Sequence, residues 1–339
     1  MIVKMKKNAT KEHYNELTEA LKNKHFEIKD VSSETVIIFG IIGDTSTLDI
    51  NDLQAYEGVE DVIRVQTPFK QASRMFKEED TIITLSNGAT VGGHEALMMA
   101  GPCSVESETQ LTTIAASLAK DGVKVLRGGA YKPRTSPYTF QGLELEGLKL
   151  LRKVADTHDM AVVSEIPSAD LLEIFEQYVD IIQVGARNMQ NFQLLKVLGK
   201  SSKPILLKRG LSATIEEWLM SAEYIMSHGN SQVILAERGI RTFEKYTRNT
   251  LDVSAVLAIK ELSHLPVIID PSHAAGRWNM IERLSMASLA VGADGLIVEV
   301  HNDPKNAMSD GAQSLKLDKF SQTLQTLKDL ANSLNRPLL

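Results

Sequence analysis

From residue 96 onward, eight short apolar runs alternate with helical stretches, at 96–100, 123–126, 161–165, 181–184, 205–207, 233–236, 267–269 and 295–298. The runs are continuous rather than alternating, the signature of parallel strands covered on both faces. Eight such strands with helices between or after them predict a (β/α)8 TIM barrel. The competing architecture is a doubly wound open sheet. That fold would carry a nucleotide-binding glycine fingerprint after its first strand, and Gly101-Pro102-Cys103-Ser104 is not one.

The front of the chain has a different rhythm. Strand 2–6, helix 10–23, strand 26–31, strand 35–42, helix 51–56 and strand 59–65 give the order of a small α+β ferredoxin-like domain. Polar residues 71–80 read as a connector, and 81–91 as a hairpin turning at Asn87-Gly88, placed to cap the barrel floor. The expected division is a ferredoxin-like domain at 1–70, connector and hairpin at 71–95, and the barrel at 96–339.

Composition narrows the function classes. At 339 residues and 43% hydrophobic, the chain can bury a full barrel core plus a small extra one. A net charge of -6 argues against a general nucleic-acid or anionic-membrane binder, so local basic clusters point to small anions. A single cysteine excludes an internal disulfide framework and suits a reducing compartment. Residues 1–7 lead into polar sequence without an apolar signal core, and no later stretch has the length to span a bilayer. A cytoplasmic protein is expected.

In a barrel of this kind, function gathers just beyond the C-terminal ends of the strands. The second strand runs into Arg127-Gly128-Gly129-Ala130-Tyr131-Lys132-Pro133-Arg134-Thr135-Ser136, which puts three cations, two adjacent glycines and two aliphatic hydroxyls at one strand-to-loop junction. Arginine forks grip carboxylates and phosphates bidentately, and lysine acts as a point charge. Other rims carry Cys103, Glu165, Arg187, Lys208, Arg238, His273 and Glu299, with Asp310 on the loop after the eighth strand. Cys103, His273, Glu299 and Asp310 offer sulfur, nitrogen and oxygen donors to one divalent cation, and this mixed set does not distinguish manganese, iron, zinc or cobalt. Arg127, Lys132, Arg187, Lys208 and Arg238 supply enough charge for a phosphate and a carboxylate on one molecule, leaving Arg134, Thr135 and Ser136 for a second phosphate. Each residue also has a structural reading: a core His273, a turn Asp310, Glu237 pairing with Arg238, Glu165 pairing with Lys208.

These motifs together resemble the type Iβ class of 3-deoxy-D-arabino-heptulosonate 7-phosphate (DAHP) synthases, transferases that open the shikimate pathway to the aromatic amino acids. The resemblance runs from Ala100-Gly101-Pro102-Cys103-Ser104-Val105-Glu106 through Asp270-Pro271-Ser272-His273 to Ser309-Asp310-Gly311. A small departure is Ala274-Ala275-Gly276, where many members have Ser-Gly-Gly. The resemblance implies Cys103, His273, Glu299 and Asp310 as ligands of one divalent metal ion. It implies Arg127, Lys132, Arg187, Lys208 and Arg238 as the phosphoenolpyruvate site, and Pro133, Arg134, Thr135 and Ser136 as the erythrose 4-phosphate site. Lys132, Glu165, Cys103 and His273 are the expected catalytic groups, Glu165 as a water-orienting or proton-transfer residue.

The sister family, 3-deoxy-D-manno-octulosonate 8-phosphate synthase, typically has Lys-Ala-Asn-Arg where this chain has Lys132-Pro133-Arg134-Thr135, which favours the four-carbon sugar. A non-catalytic phosphoenolpyruvate-binding sensor is the rival from another class. The resemblance further implies a homotetramer and an aromatic amino acid effector at the front domain. There, Glu27-Ile28-Lys29-Asp30-Val31 lacks the His and Ser of tyrosine-sensitive members, and a structural or oligomerising module is the alternative.

Overall fold

The computed structural model describes residues 1–32, 36–43, 45–64, 68–133 and 136–339. The chain divides into two compact units, Met1–Glu79 and Asp80–Leu339.

In the first unit, strands β1 (Ile2–Met5), β2 (Glu27–Asp30), β3 (Ile38–Ile42) and β4 (Val59–Ile63) form one antiparallel sheet in the order β2-β3-β1-β4. That is the ferredoxin-like arrangement the element order predicts. The expected outer residues Thr35 and Val65 lie outside the described residues. Helix Lys11–Asn23 begins where Thr10 and His13 exchange side-chain-to-backbone hydrogen bonds, and helix Ile50–Gln54 begins where Asp49 accepts from the Asn51 amide. Both helices press Leu17, Leu21 and Leu53 onto Val3, Met5, Phe39, Ile41 and Val62. Alternate strand residues point to opposite faces. Ile2 accordingly joins Phe76, from the stretch read as a connector, in a separate buried cluster.

The second unit opens with a hairpin, β5 (Ile83–Thr84) and β6 (Thr90–Val91), turning through Asn87-Gly88. Eight parallel strands follow: β7 (Leu97–Gly101), β8 (Val125–Arg127), β9 (Ala161–Glu165), β10 (Ile181–Val184), β11 (Ile205–Lys208), β12 (Val233–Glu237), β13 (Val267–Ile269) and β14 (Gly295–Glu299). They close in sequence order, with β14 returning to β7 from Gly295↔Leu97 up to Glu299↔Gly101. The predicted TIM barrel is therefore the observed one.

The hairpin plugs the floor. Its Ile83, Leu85, Ala89 and Val91 are buried in one cluster with the interior residues Leu97, Met99, Val125, Val163, Ile181, Leu206, Ile234, Ile268 and Ile297. The Asn87 side-chain amide donates to the carbonyls of Lys124 and Asp159, and Ser86 Oγ donates to Asp180, fastening the hairpin tip to the loops below the strands. Ile83→Ala should therefore behave as a core deletion, costing about 2–5 kcal/mol of unfolding free energy. An unchanged urea midpoint would show that the hairpin only lies over the floor.

Candidate active site

Inward-facing residues of each strand are apolar near the floor and become polar two positions further on, because the face repeats every second residue. Val125 is succeeded by Arg127, Val163 by Glu165, Ile181 by Gln183, Leu206 by Lys208, Ala236 by Arg238, Ile268 by Asp270 and Ile297 by Glu299. On β7 the corresponding step from Met99 reaches Gly101. Gly101 has φ +152, and a Cβ there would stand 2.0 Å from the Arg127 carbonyl oxygen. Only glycine lets the chain pass and deliver Cys103 to the rim.

Cys103, Glu299 and Asp310 bring one sulfur and two carboxylate donors within 4.8 Å of one another. Asp310 adopts a left-handed backbone, φ +45, at the start of the Gly311–Gln313 turn, and its Oδ2 accepts from the Cys103 thiol at 3.3 Å. Loops on both sides are tied together: Ser104 Oγ meets Ser309 Oγ at 2.7 Å, and the Met308 amide donates to Glu106. His273, on the short helix Pro271–Ala275, is not part of the trio, although its Nε2 comes within 3.5 Å of Glu299 Oε1. Its Nδ1 is 2.7 Å from Asp270 Oδ2 but out of line for a hydrogen bond.

The electrostatics suit a cation. Burial pushes the Cys103 thiol up to about 11, and the neighbouring Glu299 adds to the effect. Burial would also raise Glu299, but His273 and Arg127 hold it below the usual carboxylate range; Arg248 and His273 do the same against burial at Asp310. Burial depresses the His273 imidazole, so this nitrogen base is neutral near pH 7. Two ionised carboxylates, a thiol that loses its proton to a metal and a neutral imidazole beside them make a chemically coherent ligand set for a divalent ion.

Beside the trio lies a pocket of about 420 Å³ that, among the described residues, is lined by the cationic Lys132, Arg187, Lys208, Arg238, Arg241 and Arg248 and by the carboxylates of Glu165 and Asp310. Lys132 joins pocket and trio, since its Nζ donates to the Cys103 carbonyl at 2.9 Å and contacts Sγ at 3.1 Å. Lys208 pairs with Asp270 at 2.5 Å rather than with Glu165, whose carboxylate accepts from Gln183. Arg187 donates to the Pro133 carbonyl. Arg127 sits deeper, donating to Glu299 at 2.9 Å and to the Pro102 carbonyl, and is not among the lining residues.

Of the expected sugar-phosphate group, Pro133 lines the pocket, while Arg134 and Thr135 lie outside the described residues. Ser136 is engaged in its own turn, accepting from the Tyr138 amide at Oγ and from Thr139 and Gln141 at its carbonyl. A wider depression of about 700 Å³, lined by Trp278, Pro304, Lys316 and others, gathers no comparable donor set. Sequence reasoning placed Asp270 at a strand end without giving it a role, and missed Arg241, Arg248 and Gln313. Asp270 was legible as the next inward position after Ile268. Gln313, which donates to Glu299 Oε2 at 2.8 Å, and Arg248, which donates to Gln313, carried no local signal.

A family model described as the DAHP synthetase I family matches residues 80–336, and one described as the DAHP synthase ferredoxin-like domain matches 1–67. The phospho-2-dehydro-3-deoxyheptonate aldolase of Thermotoga maritima is 48% identical over 334 residues, 98% of either chain. The 2-dehydro-3-deoxyphosphooctonate aldolase of Syntrophotalea carbinolica is 32% identical over 254 residues, 70% of this chain and 91% of its own. The crystal structure of the Thermotoga maritima DAHP synthase superposes with a TM-score of 0.80 at 47% identity, covering 100% of this chain and 99% of that one. A truncated form of the 3-deoxy-D-arabino-heptulosonate 7-phosphate synthase from the same organism gives 0.75 at 50% identity, covering 80% and 99%.

The Lys208–Asp270 pair offers a direct test of the site's electrostatics. Asp270→Asn leaves Lys208 buried without its counter-charge, an effect expected to cost about 3–5 kcal/mol. His273 and Lys208 outweigh burial and hold the Asp270 carboxyl well below its ordinary value. The stabilisation is therefore fully present above the ordinary aspartate range and is lost as pH falls towards the depressed value. Unfolding measured across pH should show a constant wild-type advantage from neutrality down to about pH 5, shrinking below about pH 4. An advantage that instead shrinks near neutrality would contradict the assignment.

Proposed function

The chain belongs to the DAHP synthetase I family and carries DAHP synthase activity, and we propose that its barrel rim performs it as a metal-dependent condensation of phosphoenolpyruvate with erythrose 4-phosphate and water. The observation that carries this reading is the juxtaposition of a six-cation pocket with the Cys103, Glu299 and Asp310 trio. Two substrates bearing phosphate and carboxylate repel one another, so much of the catalysis lies in neutralising and aligning them. Lys208, Arg238 and Arg187 grip phosphoenolpyruvate in the pocket with Lys132, and Arg127 completes the set from beneath. Pro133, Arg134, Thr135 and Ser136 take the aldose phosphate.

Cys103, Glu299, Asp310 and the adjacent His273 would hold one divalent ion, which supplies Lewis-acid polarisation of an aldehyde oxygen. The π electrons of phosphoenolpyruvate form the bond from its methylene carbon to the aldehyde carbon, and as the carbonyl opens its oxygen takes a proton from the Lys132 ammonium. Water then adds to the former enol carbon, with Glu165 taking its proton. As the bond between that carbon and the phosphate oxygen breaks, the remaining hydroxyl proton leaves with the phosphate, the carbon becomes a ketone, and inorganic phosphate and 3-deoxy-D-arabino-heptulosonate 7-phosphate result. The front unit, matched by the ferredoxin-like domain of DAHP synthases, takes an aromatic amino acid as effector in a cytoplasmic homotetramer. A structural role for that unit is the alternative.

The likeness to 2-dehydro-3-deoxyphosphooctonate aldolases supports a second reading, with a five-carbon aldose phosphate as acceptor. One assay separates the two. Stoichiometric phosphate release is expected with phosphoenolpyruvate plus erythrose 4-phosphate, abolished by strong chelation and restored by a divalent ion. Equal or reversed kcat/KM for arabinose 5-phosphate would favour the second reading. Tight phosphoenolpyruvate binding without phosphate release from either aldose would leave only a sensor.

A further inference from the structure

On the outer side of the barrel wall, behind the pocket, Arg209 and Glu237 form a buried ion pair at 3.0 Å between neighbouring strands β11 and β12. Arg209 is 4% exposed and Glu237 0%. The same guanidinium reaches Asp252 at 2.8 Å and the Ala213 carbonyl at 3.0 Å, and it lies over the ring of Trp218. None of these groups lines the pocket. Their sequence neighbours do: Lys208 precedes Arg209, and Arg238 follows Glu237. Because adjacent residues face opposite ways at the end of a strand, the cluster and the two pocket cations share a backbone while lying on opposite sides of it.

Glu237 makes the connection tighter. Its Oε1 accepts from the Gly239 amide at 2.6 Å, and the Gly239 carbonyl in turn accepts from Arg238 at 3.3 Å. Gly239 has φ +88, and a Cβ there would stand 2.7 Å from the Asn249 Cβ, so the turn has little room to shift. The Arg209 amide donates to the Ala236 carbonyl, fixing the strand ends against each other.

We propose that Arg209, Glu237 and Asp252 form a latch that positions Lys208 and Arg238 as one phosphate-gripping pair, with Glu237 as its principal positioning residue. The latch sets affinity for phosphoenolpyruvate without touching it. This rests on the pocket being the phosphoenolpyruvate site.

The test exploits the finding that buried ion pairs are often replaceable by apolar pairs of similar volume with little loss of stability. In Arg209→Met with Glu237→Leu, Asp252 keeps its contacts to Ser254 and the Ala255 amide. The metal-loaded full-length variant should keep its thermal midpoint within a few degrees. Its Kd and KM for phosphoenolpyruvate should nevertheless rise about tenfold or more, with kcat and the KM for the aldose phosphate nearly unchanged. Glu237→Gln, which preserves volume, should give a smaller shift of the same kind and serves as the readout should the double variant fail to fold. Unchanged phosphoenolpyruvate affinity in a folded variant, or a parallel rise of both KM values, overturns the latch. Calorimetry on the wild type with phosphoenolpyruvate and with inorganic phosphate separates the two layers. Phosphate binding without phosphoenolpyruvate binding removes the substrate reading, and the latch is then judged on phosphate affinity alone.

Discussion

A carboxylate taken out of water holds the upper half of the barrel together. Glu299 is buried and ionised, and such a group costs several kcal/mol unless charge and hydrogen bonds are returned to it. The compensation comes from Arg127 on β8 and Gln313 on the turn after β14, while the Ser272 hydroxyl, on the helix after β13, accepts from the Glu299 backbone amide. Four stretches that are remote in sequence are thereby forced into one register. Cys103 and Asp310 are brought close by the same convergence, so the geometry of the trio and barrel closure are one problem with one solution.

Much of this was readable in advance, for a physical reason. Buried parallel strands must be apolar on both faces, so all eight emerged as uninterrupted runs, and polar residues just past their ends marked the rim. The twofold repeat also points Asp270 inward, two positions after Ile268, although the sequence assigned that residue no role. Gln313, Arg248 and Arg241 sit on loops, where no period links sequence to direction. Glu237 shows the limit well. Its neighbour Arg238 looked like its partner, but side-chain alternation sends the two to opposite sides of the wall, and Glu237 finds Arg209 across the strand instead. Lys208 likewise pairs with Asp270 rather than Glu165, a choice made by how the strands are arranged around the barrel.

The top of the barrel thus sorts its charges into two shells. Inside, cations outnumber carboxylates around the pocket, and their mutual repulsion makes the empty pocket electrostatically unfavourable. Outside, the single Arg209 guanidinium is shared between the Glu237 and Asp252 carboxylates. The inner shell keeps an excess of positive charge for an anion, whereas in the outer one every charged group already has a partner of opposite sign.

The plug beneath the barrel bears on how such chains diversify. The hairpin that closes the floor lies after Asp80, on the barrel's side of the division between the two units, and Thr81 anchors there through His264. A recombination event joining a foreign segment at residue 80 would inherit a barrel whose floor is already sealed. Among the described residues, every side chain of the buried floor cluster comes from the barrel's own stretch of sequence, so the seal travels with the strands it closes.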